Sequence, residues 1–143
     1  MHFVYLTGDY KNSATGDIFE DVENLKVDPA FESYLKEAFK PLGVYLNFWQ
    51  QSLKPGQEYQ FAVMMINDEY RSNKGTLKVL TEDESGKTVV LAECPYDVSD
   101  LSQKTFSFDL KFPDKPGNYK LKAVAVQADG VQTTTSIRIF KIQ

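Results

Sequence analysis

One cysteine, one histidine and one tryptophan in 143 residues remove several kinds of chemistry at the outset. The single thiol, Cys94, cannot close an internal disulfide, and the single histidine, His2, cannot anchor a familiar zinc ligand set. Serine or cysteine nucleophile arrangements fail too, since no other histidine is present to act as base. No apolar run approaches the roughly 20 residues of a membrane helix. Met1-His2-Phe3 is not followed by the basic-then-apolar pattern of a signal peptide, so any leader of an exported parent lies outside this chain. A basic stripe is also missing. Lysine and arginine total 16 against 20 acids, which speaks against a nucleic-acid partner because few phosphate counterions could be displaced. Gly86-Lys87-Thr88 has the ending of a phosphate loop, but Thr81 stands where the first glycine is required.

What the chain does have is alternation. From Val44 onward, apolar residues repeat at a period of two, with Gly, Pro, Asn and Asp between the runs. Val44, Leu46 and Phe48 share one face, and Tyr59, Phe61, Val63 and Met65 share another, although Ala62, Met64 and Ile66 make that strand's second face apolar as well. Leu77 and Val79 begin a third strand, and Glu82-Asp83-Glu84-Ser85-Gly86 turns into Thr88–Cys94. Pro95 to Gln103 reads as a crossing loop. Phe106, Phe108 and Leu110 come next, then Tyr119, Leu121, Ala123 and Ala125, then Asp129-Gly130 as a tight turn, and finally Val131–Ile142, with Ile137 and Ile139 on one side. The expected fold is all-β: an immunoglobulin/fibronectin III-like antiparallel β-sandwich of about seven strands, preceded by an irregular arm and one short α-helix.

The boundary is expected at 43/44, with an arm and linker helix over 1–43 and the sandwich over 44–143. All excess negative charge sits in the arm, which holds four lysines against eight acids. Residues 2–6 could form a short strand, and 11–17 are loop-like. A helix is predicted over about 29–39, with Asp28 as N-cap, Pro29 at the first helical position and Pro41-Leu42-Gly43 as the stop. Its stripe of Phe31, Leu35 and Phe39 must be buried, against either the sandwich or a neighbouring domain.

Candidate chemistry is sparse. The acids Asp17, Glu20, Asp21 and Glu23 could face another domain, and Glu82, Asp83 and Glu84 sit in a hairpin turn where solvation explains them. Glycosidic hydrolysis would need two carboxylates flanking the scissile bond. Asp97 and Asp100 with loop carbonyls could supply oxygen ligands to calcium, yet acidic sandwich loops are usually just solvated. No metal or cofactor is expected. Tyr119, after Pro116-Gly117, is either a corner tyrosine bonding back across the sandwich end or another core aromatic. Tyr45 and Trp49 share the strand face opposite Val44, Leu46 and Phe48. With Tyr70 they could form a platform for sugar rings, Asn47 holding a hydroxyl, or else pack under the helix or another domain.

Phe31 to Trp49, Leu53-Lys54-Pro55-Gly56-Gln57, Met65-Ile66-Asn67-Asp68 and Phe112 to Tyr119 succeed one another in an order that resembles a known family. It is the C-terminal region of large bacterial glycoside hydrolases, the family 2-like enzymes of polysaccharide-degrading, Bacteroides-type gut bacteria. There a helix leaves the catalytic barrel and enters an immunoglobulin-like sandwich. The resemblance covers residues 28–143 and carries no catalytic residue onto this chain, because the family's glutamates lie in the barrel. It implies a non-catalytic accessory domain, a parent enzyme acting on glycosidic bonds, partners in that parent's other domains, and a periplasmic or extracellular setting. A carbohydrate-binding module using Tyr45, Trp49 and Tyr70, with a polysaccharide partner, is the alternative. A complete small enzyme using the N-terminal acids ranks last.

Overall fold

A computed structural model describes residues 19–21, 23–29 and 31–143. The strand expected at 2–6, the loop at 11–17 and the side chains of Asp17 and Glu20 lie outside the described residues. The chain divides into two compact units, residues 1–39 and 40–143.

In the first unit, β1 (Phe19–Asp21) pairs antiparallel with β2 (Lys26–Val27). The Asp21 carboxylate accepts from the Asn24 backbone N–H at 3.1 Å and from its side-chain amide at 2.7 Å, closing the turn. Asp28 caps the helical segment after β2, its Oδ1 accepting from the Phe31 N–H at 2.9 Å. The α-helix expected over 29–39 is instead a π-helical stretch, Phe31–Leu35, continued by the short α1, Lys36–Ala38. Ser33 Oγ donates to the Pro29 carbonyl at 2.8 Å, a hydroxyl bond back by four residues. The anticipated stripe is unevenly covered: Phe31 and Leu35 are half-buried, whereas Phe39 is exposed.

The second unit is the sandwich. Its strands are β3 (Leu42–Asn47), β4 (Ser52–Leu53), β5 (Glu58–Asn67), β6 (Asn73–Asp83), β7 (Thr88–Val98), β8 (Ser102–Lys111), β9 (Gly117–Gln127) and β10 (Thr133–Ile142). They form a three-stranded sheet ordered β3-β5-β8 and a five-stranded sheet ordered β4-β10-β9-β6-β7. All pairings are antiparallel except β4 with β10, which run parallel. Gln51 O accepts from Lys141 N and Leu53 O accepts from Gln143 N, each at 3.0 Å. The chain therefore leaves one sheet after β3 and joins the other at β4, as expected of an immunoglobulin/fibronectin III-like sandwich.

The inner faces meet as the alternation predicts. Leu46, Phe48, Phe61, Val63 and Met65 come from one sheet, and Leu77, Val79, Leu121, Ala123, Phe140 and Ile142 from the other, all buried. Each large side chain removed from water stabilises by roughly 1.5–3 kcal/mol. Phe48 is the hub of the aromatic part, with ring centroids 5.5 to 5.8 Å from those of Tyr59, Phe61, Phe112 and Phe140. Gly75, on β6, is required by close approach. A Cβ there would lie 2.0 Å from the Val126 carbonyl oxygen and 2.8 Å from Tyr96 Oη.

The crossing loop expected at Pro95–Gln103 is shorter than that. β7 runs on to Val98, and residues 99–101 alone connect it to β8. Pro95 is tolerated because β7 is an edge strand, so its missing N–H breaks no ladder bond. Tyr96 and Val98 then point inward and are buried. Buried Asn67, the last residue of β5, braces this crossing. Its Nδ2 donates to the carbonyls of Arg71 at 2.8 Å and Ser99 at 2.9 Å, and its Oδ1 accepts from the Glu69 N–H at 3.2 Å. At the opposite end, Tyr119 Oη donates to the Lys115 carbonyl at 2.9 Å, which makes it a corner tyrosine as well as a core aromatic.

Candidate functional site

The outward residues of β3 and of the segment that follows it carry the most developed cluster. The alternation of β3 continues past its end, so Leu46 and Phe48 are buried while Tyr45, Asn47 and Trp49 face out, Trp49 being 68% exposed. Trp49 Nε1 donates to Asn47 Oδ1 at 2.9 Å. That bond fixes the indole's orientation and turns the amide nitrogen of Asn47 away from the ring. Asn47 thus supports the tryptophan directly, a role its alternation did not foretell.

Arg138 joins the two rings. The inward frame of β10 is Thr134, Ser136, Arg138, Phe140 and Ile142, and the arginine leaves it through the seam between β10 and β3. Ser136 Oγ accepts from the Leu46 N–H at 3.3 Å in the same seam. The guanidinium carbon lies 4.9 Å from the Trp49 ring centroid and 5.7 Å from that of Tyr45, within cation–π range. Nη1 donates to the Ile137 carbonyl at 2.9 Å. Nε is buried and makes no hydrogen bond, an arrangement that costs about 1–3 kcal/mol for a buried donor. Among the described residues no carboxylate pairs with Arg138. Sequence reasoning missed this residue, although an arginine in the inward frame of a sandwich strand was the available signal.

Tyr70 is placed elsewhere. It is an exposed residue of the β5–β6 loop, and Tyr45 is opposite Met64, three residues short of Asn67 where that loop begins. Beside the Tyr45–Trp49 pair, the outer face of the three-stranded sheet is uncharged over three cross-strand rows: Gly43–Ile66–Gln103, Tyr45–Met64–Thr105 and Asn47–Ala62–Ser107.

The hairpin acids line a hollow of about 210 Å³ with Asn118, Tyr119 and Lys120, so their surroundings are more concave than a plain turn would give. Every one of them is engaged. Glu82 accepts from Lys122 and, at 3.1 Å, from Lys120; Asp83 accepts from Ser85 and Lys87; Glu84 accepts from Asn118. Hydrogen bonds from Lys122 and Lys120 hold the Glu82 carboxyl below its usual range, and the bond from Ser85 does the same for Asp83. A general acid working near neutral pH needs the opposite shift. Asp97 is paired with Lys74 at 2.9 Å. Among the described residues no group of three or more His, Cys, Asp and Glu is placed to hold a metal ion, and no helix is long and apolar enough to cross a membrane.

Solved structures contain this fold in varied settings. The chain is similar over 73% of its length to a β-glucosidase from Listeria innocua in complex with glucose, at a TM-score of 0.56 and 12% identity, and it spans 16% of that enzyme. A family 123 glycoside hydrolase from Clostridium perfringens matches over 73% of this chain and 27% of its own, at a TM-score of 0.52 and 14% identity. A superoxide reductase (neelaredoxin) from Ignicoccus hospitalis matches over 86% of this chain and 98% of its own, at a TM-score of 0.53 and 13% identity. At these identities the likeness is one of fold, and the fold serves unrelated chemistries. It includes β-domains that are minor parts of glycoside hydrolases. No protein-family model matches the sequence, and no curated protein matches it.

Proposed function

We propose that this chain is a non-catalytic accessory sandwich of a glycoside hydrolase, of the family 2-like kind its motif order resembles. It braces the catalytic domain of a longer parent that works in the periplasm or outside the cell. The observation that carries this reading is the uncharged stretch of the three-stranded sheet's outer face, three rows around Ala62 and Met64, beyond which Asp109, Glu58 and Lys111 restore charge. A sheet face open to water normally alternates with charged and polar residues, and an interface core is depleted of charge. The occurrence of the same fold as a small share of long glycoside hydrolases supports it. Phe31, Leu35 and Phe39 of the first unit are further docking side chains on this reading.

The test is Ala62→Arg, made both in this chain and in the protein encoded by the whole reading frame. The isolated chain should keep its melting temperature, because the side chain points away from the core. The parent should lose thermal stability of its glycosidase activity. A whole reading frame without a catalytic domain, or a parent indifferent to the arginine, would refute the bracing role.

A second reading is favoured by one specific observation, the exposed Tyr45 and Trp49 rings gathered on one guanidinium. On that reading the sandwich binds glycan at β3, and Tyr70 contributes only to a separate contact. Calorimetry with polysaccharides on the wild-type chain and on Trp49→Ala tests it; no heat with any glycan removes it.

A further inference from the structure

From the seam between β3 and β10 we infer a binding site for an anionic sugar, a hexuronate unit of a glycan, whose carboxylate pairs with Arg138 while its ring stacks on Trp49. The inference rests on the glycan-binding reading and goes beyond it by naming the ligand's charge and the residue that reads it.

Four observations converge. The cluster presents two aromatic rings, which suit the C–H face of a pyranose, and the indole is already held in place by Asn47, so little ordering remains to be done on binding. The guanidinium lies against the rings; its Nε is buried and Nη1 donates to Ile137 O, while among the described residues Nη2 makes no hydrogen bond and no carboxylate answers the charge. A planar fork of donors matches a carboxylate in both geometry and sign. The remaining polar group is also a donor, since the Asn47 oxygen is taken by Trp49 and its amide nitrogen is left. Finally, the rows of Tyr45 and Asn47 on the three-stranded sheet bear no charge, and the first carboxylate along that face is Asp109 on β8, two strands from β3. A neutral sugar would offer the guanidinium hydroxyl acceptors but no opposite charge.

Trp49 is the only tryptophan in the sequence, so tryptophan emission reports on this site alone. The chain would be titrated with oligomers of galacturonate and of glucuronate, and with the methyl esters of both. Calorimetry would run in parallel on Arg138→Gln, Arg138→Lys and Trp49→Ala, each first checked for native circular dichroism. The free acids of at least one series should shift Trp49 emission. Esterification and Arg138→Gln should each weaken binding by roughly 10–100-fold, the range of one charge-assisted pair. Arg138→Lys, which keeps the charge but not the fork, should fall between, and added salt should weaken only the acids. Equal binding of acids and esters would overturn the role of Arg138 while leaving the glycan reading intact. No binding of either form by a folded chain would overturn both.

Discussion

The two outer faces of this sandwich are built to opposite rules. On the five-stranded sheet, Lys78 pairs with Glu93 at 3.4 Å, Lys74 with Asp97 at 2.9 Å, and Glu82 with both Lys120 and Lys122. Exposed Ile139 there stands opposite Lys120. On the three-stranded sheet, three consecutive cross-strand rows hold no charge at all. Exposed ion pairs add little to stability, typically about 0–1 kcal/mol each, so the charged face is explained by solubility and by resistance to association. The neutral face has no such protection, and that contrast makes it the face where a contact is sought. Inside, the distinction disappears: both sheets contribute large apolar side chains to one core.

The contrast can be broken first at what the sheets share. Phe48→Ala removes the ring that touches four others from both sheets, and should lower the unfolding free energy by about 3–5 kcal/mol in urea titration. Next come the two ties at the sandwich ends. Asn67→Ala, on the neutral sheet's β5, leaves the Arg71 and Ser99 carbonyls without their donor, so that the β5–β6 loop loses its tie to the β7–β8 crossing, and should cost about 1–3 kcal/mol, with faster amide exchange around residues 99–101. Tyr119→Phe, on the charged sheet's β9, loses the single bond to Lys115 while keeping the ring stacked on Phe140, for about 1 kcal/mol. The smallest effect belongs to the charged face itself. The Glu82 carboxyl is held below its ordinary value of 4.5, so it stabilises the fold above that pH, and the contribution is lost as pH falls through the lowered value. Glu82→Gln should therefore melt slightly lower than wild type at neutral pH and coincide with it in acid.

Much of this architecture could be read from residues alone, because strand alternation is a direct print of burial. Tyr119, Leu121, Ala123 and Ala125 all face the core of β9, and Phe61, Val63 and Met65 that of β5. The corner hydroxyl of Tyr119 was legible too, since Pro-Gly before an aromatic sets up the turn it bonds to. What escaped reading depended on partners distant in the chain. β4 is only two residues long, too short for any period, and exists because β10 is beside it. Pro95 reads locally as a break in the strand because its place on a sheet edge is a fact of topology, not of local sequence. The π-helical start of the linker, Phe31–Leu35, is likewise a feature that no spacing rule encodes. Half of the candidate site was visible: Tyr45 and Trp49 stand out by alternation, whereas Arg138, far along the chain from both, joins them only through the packing of two sheet edges.

The transfer of the chain from β3 to β4 has a mechanical meaning. Because β4 runs parallel to β10, traction on residues before β3 and after Ile142 would drag these neighbours lengthwise past each other. The Gln51–Lys141 and Leu53–Gln143 bonds would then be loaded together and not peeled one at a time. A sandwich joined in series within a longer polypeptide is in this way clamped by β4 against its last strand, and β10 is drawn out only after both bonds give way.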